Sequence, residues 1–168
     1  DLCKYASFEA GKKYAIFTSA ASMNGYLSQN ASIIVNGHRK TEAAHLPLGV
    51  FCDYDILRSA PKQMTKAGIG DLMCFYSCWF DWLLSHLLLE TRYESECFEM
   101  LTEKMGEFVG GYQDFVLGED ELLKIVMEIL LLSGASMTLA GGSYPASQSE
   151  HLIAHSYAMK YPDKAKNV

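Results

Sequence analysis

The pattern of hydrophobic and polar positions changes in character part-way along the chain. Residues 1–13 have the spacing of a helix, and a short apolar run at 12–22 and two further strand candidates at 31–41 and 46–57 follow. Runs of this length, bounded by Gly, Pro, Asn and Asp, predict strands. The first run ends in small and hydroxylated residues, as expected of a buried strand that delivers a loop. Residues 1–58 are therefore predicted to be the end of an α/β unit.

From Pro61 onward the hydrophobic period is that of helices. Residues 61–90 begin with a proline, pass the sequence Gly-Ile-Gly, and continue with aromatic and leucine positions on most sides, which predicts a buried helix. Residues 90–108 have an amphipathic helical pattern, and residues 118–142 start with acids and end at a double glycine. The sequence thus predicts an α/β portion followed by an all-helical domain, 61–168, in a chain that is mainly helical overall.

Composition and charge restrict the kinds of partner. The chain has 168 residues, is 49% hydrophobic and carries a formal charge of -6, with its lysines and arginines scattered. A scattered, net acidic charge gives no footprint for nucleic acid. The apolar run near residue 130 is broken by Glu128, so no membrane insertion is expected. Five cysteines form no Cys-x-x-Cys pair, which favours the cytoplasm as the location.

Two histidines and one aspartate are candidates for site chemistry. His151 and His155 lie four residues apart, on one face of a helix. Such a pair alone does not make a metal site, and a hydrogen-bonded structural role is the alternative. Asp71 comes after two glycines at the head of an apolar segment, where a carboxylate is costly unless capped or coordinated. Its two interpretations are an N-cap and a metal ligand.

Two cysteines, Cys74 and Cys78, are predicted to share a helical face. They could be read as ligands, but the favoured interpretation is that they are buried free thiols.

Separated sequence blocks then point to a family. The segments AGIGDLM at 67–73, WFDWLLSH at 79–86 and SGASMTLAGGSYPASQSEHLIAH at 133–155 follow DLCKY and TSAASMNGYLS in order. Together they resemble the sn-glycerol-1-phosphate dehydrogenases, within the superfamily of iron-containing alcohol dehydrogenases, glycerol dehydrogenase and dehydroquinate synthase. The resemblance implies a dehydroquinate-synthase-like fold, truncated at both ends. Residues 1–58 would be the C-terminal part of a nucleotide-binding domain, and 61–168 an incomplete metal- and substrate-binding domain.

The resemblance also implies roles for individual residues. Asp71 and His151 match two ligands of a divalent metal, most often zinc, with nickel or iron as alternatives. His155 matches a position that lines the substrate pocket, and Asn24 stands where the family has a substrate-contacting aspartate. The positions matched to an NAD or NADP site are Asp1, Ser19, Ala20, Ala21, Ser22 and Ser28.

The implied activity is metal-dependent hydride transfer between NAD(P) and a small polyol or polyol phosphate, interconverting dihydroxyacetone phosphate and sn-glycerol 1-phosphate. Two departures from the family pattern keep alternatives open: Asn24 replaces an aspartate, and Tyr144 stands where relatives have arginine. A non-catalytic relative kept for binding or assembly is one alternative, and a dehydroquinate-synthase-like cyclase is another. Assembly into a homo-oligomer also stays open.

The chain starts at Asp1 rather than methionine, and no histidine follows His155 to supply a third metal ligand. We therefore expect it to be a piece of a larger protein. The prediction is that the purified 168-residue chain has no dehydrogenase activity and binds cofactor weakly. Measurable turnover by this chain alone would contradict it.

Overall fold

The computed structural model describes residues 1–35, 38–111, 119–161 and 163. In chain order its elements are α1 (Leu2–Glu9), β1 (Ile16–Thr18), a 3-10 turn (Gly25–Leu27), β2 (Asn30–Val35), β3 (His38–Ala43), β4 (Val50–Cys52), α2 (Tyr54–Ser59), α3 (Lys62–Leu89), α4 (Glu96–Gly110), α5 (Glu119–Ala140) and α6 (Ser149–Lys160). The described strands all precede residue 53, and the long helices follow residue 61, as the change in hydrophobic period predicts.

The strands form two small pairs. β1 and β4 are parallel, with Ile16 opposite Val50, and β2 and β3 form an antiparallel hairpin with Asn30 opposite Ala43. The segment 31–41 was expected to be a single strand, and this was wrong, because it contains most of β2 and the first part of β3, which pair with each other. The run at 46–57 holds β4 but ends in α2, since the Asp53 carboxylate accepts hydrogen bonds from the backbone at 55 and 56 and starts a helix there.

Helix α3 runs without interruption through both glycines. Asp71 lies ten residues after its cap, Pro61, so the N-cap interpretation of this aspartate is wrong. The expectation that α3 is buried on most sides is also wrong within the described part of the chain. Its exposed large apolar side chains include Met73, Tyr76, Trp79, Phe80, Leu84, Leu87, Leu88 and Leu89.

The core lies where α3, α4 and α5 meet. Phe98 of α4 is 1% exposed, and its ring lies 5.7 Å from Phe75, 5.6 Å from Trp79 and 5.9 Å from Trp82. Offset and edge contacts of this kind stabilise aromatic clusters beyond the burial of area. The cluster fixes one face of α3 against α4, while Gly68 of α3 approaches the loop after β1 and Asp81 of α3 contacts α6.

Two glycines allow the loop after β1 to pass between helices. A Cβ at Gly134 of α5 would lie 2.6 Å from the carbonyl oxygen of Asn24 and 2.9 Å from the nitrogen of Leu27, and a Cβ at Gly68 of α3 would collide with the Ala21 carbonyl. Only glycine permits such close backbone approach. The loop at 21–27 is therefore held against α3 on one side and α5 on the other.

A buried lysine of α1 also holds the loop after β1 in place. Lys4 of α1 is 3% exposed, and its Nζ donates to the carbonyl oxygens of Gly25, Ser28 and Asn30 at 2.6, 2.9 and 3.2 Å. Burial lowers the pKa of this ammonium to about 8, so it keeps its charge and its three donors at neutral pH. α1 is thus tied to the turn that carries Asn24.

Two helices are long and apolar enough to cross a membrane by length and composition. Their 18-residue windows have mean hydropathies of 1.3 in α3 and 1.8 in α5, with 22% and 56% of the windows buried. Core helices of soluble proteins meet the same criterion. The expectation of no membrane insertion therefore stays a prediction.

We predict that Gly134→Ala destabilises the full-length protein by about 1–3 kcal/mol, because the added methyl group meets backbone atoms that cannot turn away. Gly106→Ala in α4 is the matched control, since nothing lies within 4 Å of its added Cβ; it should stabilise by roughly 0.5–1 kcal/mol. Urea unfolding of both variants measures the difference. Equal effects would contradict the close approach of α5 to the loop.

We also predict that Lys4→Met lowers the free energy of unfolding by about 1–3 kcal/mol, because it leaves buried carbonyl oxygens without a donor. The exposed Lys12, replaced by methionine in the same way, should change stability by less than about 0.5 kcal/mol. Chemical denaturation again supplies the measurement. An unchanged free energy of unfolding in Lys4→Met would contradict this prediction and show that the three carbonyl oxygens find other donors.

Candidate functional site

The site lies where one face of α3 meets the N-terminal turn of α6. Asp71, Cys74, Cys78 and Asp81 follow one another at three- and four-residue steps, so they form a stripe along α3. The stripe faces the segment 148–151. At its far end Asp81 accepts hydrogen bonds from the backbone nitrogen of Ser149 at 3.1 Å and from that residue's hydroxyl group. This contact fixes the start of α6 on α3.

The two predicted metal ligands lie together although 80 positions separate them. Asp71 Oδ1 is 3.5 Å from His151 Nε2, and the two side chains are 16% and 29% exposed. The second carboxylate oxygen, Oδ2, accepts a hydrogen bond of 2.8 Å from the backbone nitrogen of Asn24. The aspartate thus joins the loop after β1 to the start of α6, with one oxygen directed at the imidazole.

Glu150 orients His151 from the other side. His151 Nδ1 donates to Glu150 Oε1 at 2.9 Å, and the backbone nitrogen of Gln148 donates to the same oxygen at 2.8 Å. Ser77 Oγ donates to Oε2 at 3.1 Å. A carboxylate on Nδ1 fixes the proton there and leaves Nε2 as the nitrogen that can bind a metal. This is the arrangement by which a second carboxylate positions a ligating histidine.

The electrostatics of the site favour a cation. Hydrogen bonds to Asp71, Cys74 and Glu150 raise the pKa of His151 to about 11, against the effect of burial. Burial opposes ionisation of Glu150, yet the bonds from the Gln148 backbone and from His151 lower its pKa to about 2. The surrounding groups therefore stabilise positive charge at the imidazole. A divalent cation between these donors would be stabilised by the same negative potential.

Cys74 adds a third kind of donor. Its sulfur, a carboxylate oxygen of Glu150 and a nitrogen of His151 all lie within 4.8 Å of one another, and all three residues are half-buried. Cys78, one turn further on, is 0% exposed, and its thiol contacts Glu150 Oε1 at 3.4 Å. The expectation of two buried free thiols holds for Cys78 but not for Cys74. Carboxylate, imidazole and thiol together form a donor set that fits a transition metal such as zinc.

Asn24 presents an unused donor beside Asp71. Its Nδ2 is buried and has no hydrogen-bond partner among residues 1–35, 38–111, 119–161 and 163. An unpaired buried amide donor is uncommon in folded proteins, and ligand-binding sites are a place where it occurs. Since its backbone nitrogen binds Asp71, Asn24 lies at the edge of the candidate metal site.

His155 lies near His151, as the spacing predicts. The two ring centres are 6.2 Å apart and the rings are nearly perpendicular. Both residues are half-buried on the same face of α6. The structure therefore places His155 beside His151, one of the two predicted metal ligands, where it can face the same bound molecule.

The segment 19–22 forms the loop predicted to contact the nicotinamide cofactor. Ser19 is exposed and Ser22 half-buried, whereas Ala20 and Ala21 are 7% and 0% exposed. The Ala20 carbonyl oxygen accepts a hydrogen bond of 2.7 Å from the Tyr26 hydroxyl group. Within this loop the serines are the residues open to a ligand. Cofactor binding by the loop stays a prediction.

Asp1 and Ser28 were predicted to belong to the same cofactor site, and the structure places them differently. Asp1 lines a cavity of about 270 Å³ together with Gly25, and its Oδ2 accepts from the backbone nitrogen of Ser32 at 3.2 Å. Ser28 is 5% exposed, and its Oγ accepts from the nitrogen of Asn30 at 3.1 Å. Asp1 is thus open to a ligand, while the Ser28 side chain is engaged within the chain.

Two site residues were not singled out as functional by the sequence reasoning. Glu150 was noted only as the neighbour of His151, and Cys74 was assigned to the core. The signal for Cys74 was its spacing of three from Asp71, which places both on one side of a helix. No sequence signal indicates that Glu150 accepts from the imidazole, because adjacent residues on a helix do not ordinarily face each other.

Comparison with known proteins shows which proteins the chain is similar to. Residues 1–61 match the family model described as iron-containing alcohol dehydrogenase. Over 161 residues the chain is 31% identical to the glycerol-1-phosphate dehydrogenase [NAD(P)+] of Geobacillus thermodenitrificans, covering 96% of this chain and 40% of that protein. It is 36% identical over 160 residues to that of Pyrococcus horikoshii, covering 95% and 46%. The chain thus spans less than half the length of these relatives.

Solved structures agree on the fold. A glycerol dehydrogenase from Schizosaccharomyces pombe superposes with a TM-score of 0.70 at 18% identity, over 92% of this chain and 41% of that one. A probable glycerol dehydrogenase from Sinorhizobium meliloti gives 0.67 at 17% identity, over 92% and 48%. The dehydroquinate-synthase-like fold is therefore confirmed. The sequence matches confirm the predicted resemblance: the chain is similar to glycerol-1-phosphate dehydrogenases over nearly all of its own length.

Proposed function

We propose that the protein containing this chain is a metal-dependent, NAD(P)-linked oxidoreductase that interconverts dihydroxyacetone phosphate and sn-glycerol 1-phosphate, or a related small polyol or polyol phosphate. The observation that carries the proposal is the contact of 3.5 Å between Asp71 and His151. This contact brings a carboxylate and an imidazole, two common ligands of catalytic metals, together in a half-buried site beside the unpaired amide donor of Asn24. The names of the relatives supply the substrate class.

Asp71 and His151 would hold the metal, with zinc the first choice and nickel or iron the alternatives. When bound, such a metal polarises a carbonyl oxygen of the substrate, or acidifies its alcohol in the reverse direction. The residues present fit this role, since carboxylate and imidazole are the ligands of many catalytic zinc sites. Glu150 keeps the His151 proton on Nδ1, so that Nε2 faces the site.

The groups around the ligands would position the substrate. The buried Nδ2 of Asn24 is a donor for a substrate oxygen, a role that an aspartate at this position could not fill, since its carboxylate only accepts. His155 would handle or orient a hydroxyl group from the far side of His151. Together they would hold the reacting carbon next to the metal and towards the loop at 19–22.

The cofactor would approach from the strand side. The exposed Ser19 at the end of β1 and the cavity lined by Asp1 and Gly25 lie on this side of the chain. NAD and NADP carry an anionic pyrophosphate, which backbone N–H groups and hydroxyls can bind. Hydride transfer itself is the chemistry of the cofactor.

A non-catalytic relative is the second candidate, and one observation favours it. Tyr144 is 53% exposed and stacks on Trp82 with ring centres 5.5 Å apart. At this position the chain therefore presents an aromatic ring where the resemblance implies a guanidinium group for the substrate phosphate. A site with less affinity for phosphate would favour an unphosphorylated polyol, or no turnover.

The first prediction from this proposal concerns the metal. The full-length protein should oxidise NADH or NADPH with dihydroxyacetone phosphate, lose this activity on chelation, and regain it with zinc. The absorbance of the reduced nicotinamide follows the reaction. Dihydroxyacetone, which lacks the phosphate, is the comparison substrate. Activity that survives complete removal of metal would contradict the metal site. A metal-replete protein inactive with both substrates would favour the non-catalytic relative.

The second prediction concerns Glu150. Glu150→Gln should weaken zinc binding about 10–100-fold, because without the carboxylate His151 is no longer held in the orientation in which Nε2 can bind the metal. Asp81→Asn is the matched control: it lies on the same stripe but contacts α6 through Ser149 rather than through Glu150. Competition with a fluorescent zinc chelator measures both affinities. Equal losses of zinc affinity in the two variants would indicate that the affinity depends on the packing of α6 on α3 and not on the contact of Glu150 with His151.

A further inference from the structure

Thr138 of α5 uses its hydroxyl group to bind a distant part of the chain. Its Oγ1 donates to the carbonyl oxygen of Leu27 at 2.6 Å, across 111 residues of sequence. A threonine hydroxyl group in a helix often donates to a carbonyl of the preceding turn, as Thr102 of α4 does to the Phe98 oxygen at 2.9 Å. The Thr138 hydroxyl group instead joins α5 to the loop after β1.

A glycine on the same face of α5 allows this contact to form. Gly134 precedes Thr138 by four residues, so both lie on one side of the helix. A Cβ at Gly134 would lie 2.9 Å from the Leu27 nitrogen. The glycine therefore lets the turn come close, and the threonine binds the carbonyl group of the same residue. Together they fix Leu27 on α5.

The 3-10 turn is held at both of its ends. Lys4 donates to the carbonyl oxygen of its first residue, Gly25, at 2.6 Å, and Thr138 donates to that of its last residue. Asn24, the N-cap of this turn, donates its backbone N–H to Asp71 Oδ2 at 2.8 Å. Because the peptide group is planar, the direction of this N–H follows the position of the turn.

The hydrogen bond to Oδ2 determines where the other oxygen of Asp71 points. The terminal torsion of an aspartate is soft, so an unbound carboxylate turns easily. With Oδ2 bound to the Asn24 nitrogen, Oδ1 stays 3.5 Å from His151 Nε2. Groups that orient a metal ligand from outside the coordination shell raise the affinity for the metal.

We propose that Thr138 is a positioning residue for the metal site. By holding the turn on α5, its hydroxyl group keeps the Asn24 N–H on Asp71 Oδ2, and so keeps Oδ1 directed at the metal. This inference rests on the metal site of the proposed function and adds to it a residue that acts through the turn.

The zinc affinity of the full-length protein tests the inference without reference to activity. Thr138→Val keeps the branched shape but removes the hydroxyl group, and it should weaken zinc binding about 2–10-fold, the change that loss of one hydrogen bond produces. Thr138→Ser retains a hydroxyl group and should bind zinc nearly as tightly as the wild-type protein. Competition with a fluorescent zinc chelator measures the affinities, and urea unfolding of the metal-free proteins measures their stabilities.

Thr102→Val is the matched control. It removes the same hydroxyl group from a helix, but one that bonds within its own helix, so the zinc affinity should stay at the wild-type value. Equal losses of zinc affinity in Thr102→Val and Thr138→Val overturn the proposal, and so does a loss that Thr138→Ser does not recover.

A purely structural role of Thr138 gives a different pattern. Thr138→Val would then lower the free energy of unfolding of the metal-free protein and leave the zinc affinity unchanged, which overturns the proposal. If Thr138→Val does not fold, Thr138→Ala takes its place under the same criteria. Failure of both variants to fold makes the hydroxyl group a requirement of the fold and also overturns the proposal. Failure of the wild-type protein to bind zinc overturns the metal site of the proposed function instead.

Discussion

The contact between Asp71 and His151 is the constraint on which the rest of the site depends. It joins the middle of one long helix to the first turn of another, across 80 residues of sequence. Neither side chain would hold this position alone: the aspartate also accepts from the Asn24 backbone at 2.8 Å, and the histidine is bound by Glu150 at 2.9 Å. Half-buried groups of opposite charge are stable only when their remaining hydrogen bonds are satisfied.

The supporting structure consists mainly of contacts with backbone atoms. Gly68 and Gly134 allow α3 and α5 to close on the loop after β1, and Lys4 ties the underlying turn to α1 through three carbonyl oxygens. The Asn24 nitrogen that binds Asp71 belongs to this loop. The position of the candidate metal ligand thus depends on residues of the strand region as well as on the helices.

Much of this could be predicted from the sequence, for identifiable reasons. Periodicity located the long helices, and the spacing of His151 and His155 placed both on one face. Asp71 was placed at a helix start because two glycines precede it, whereas tertiary packing of Gly68 against Ala21 keeps the helix continuous there. The pairing of β2 with β3 was missed because 31–41 was taken as one strand, although Asn-Gly between two such runs is a frequent hairpin sequence. Cys74 was assigned to the core because sequence cannot show which neighbour a helical face meets.

The central claim is that Asp71 and His151 bind a metal. The most direct test is an anomalous-scattering measurement at the zinc edge on crystals of the full-length protein. The account predicts a peak within about 2.3 Å of Asp71 Oδ1 and His151 Nε2, with Glu150 on the opposite nitrogen of the imidazole. A zinc-replete crystal without a peak at this position, in which His151 donates directly to Asp71, would contradict it.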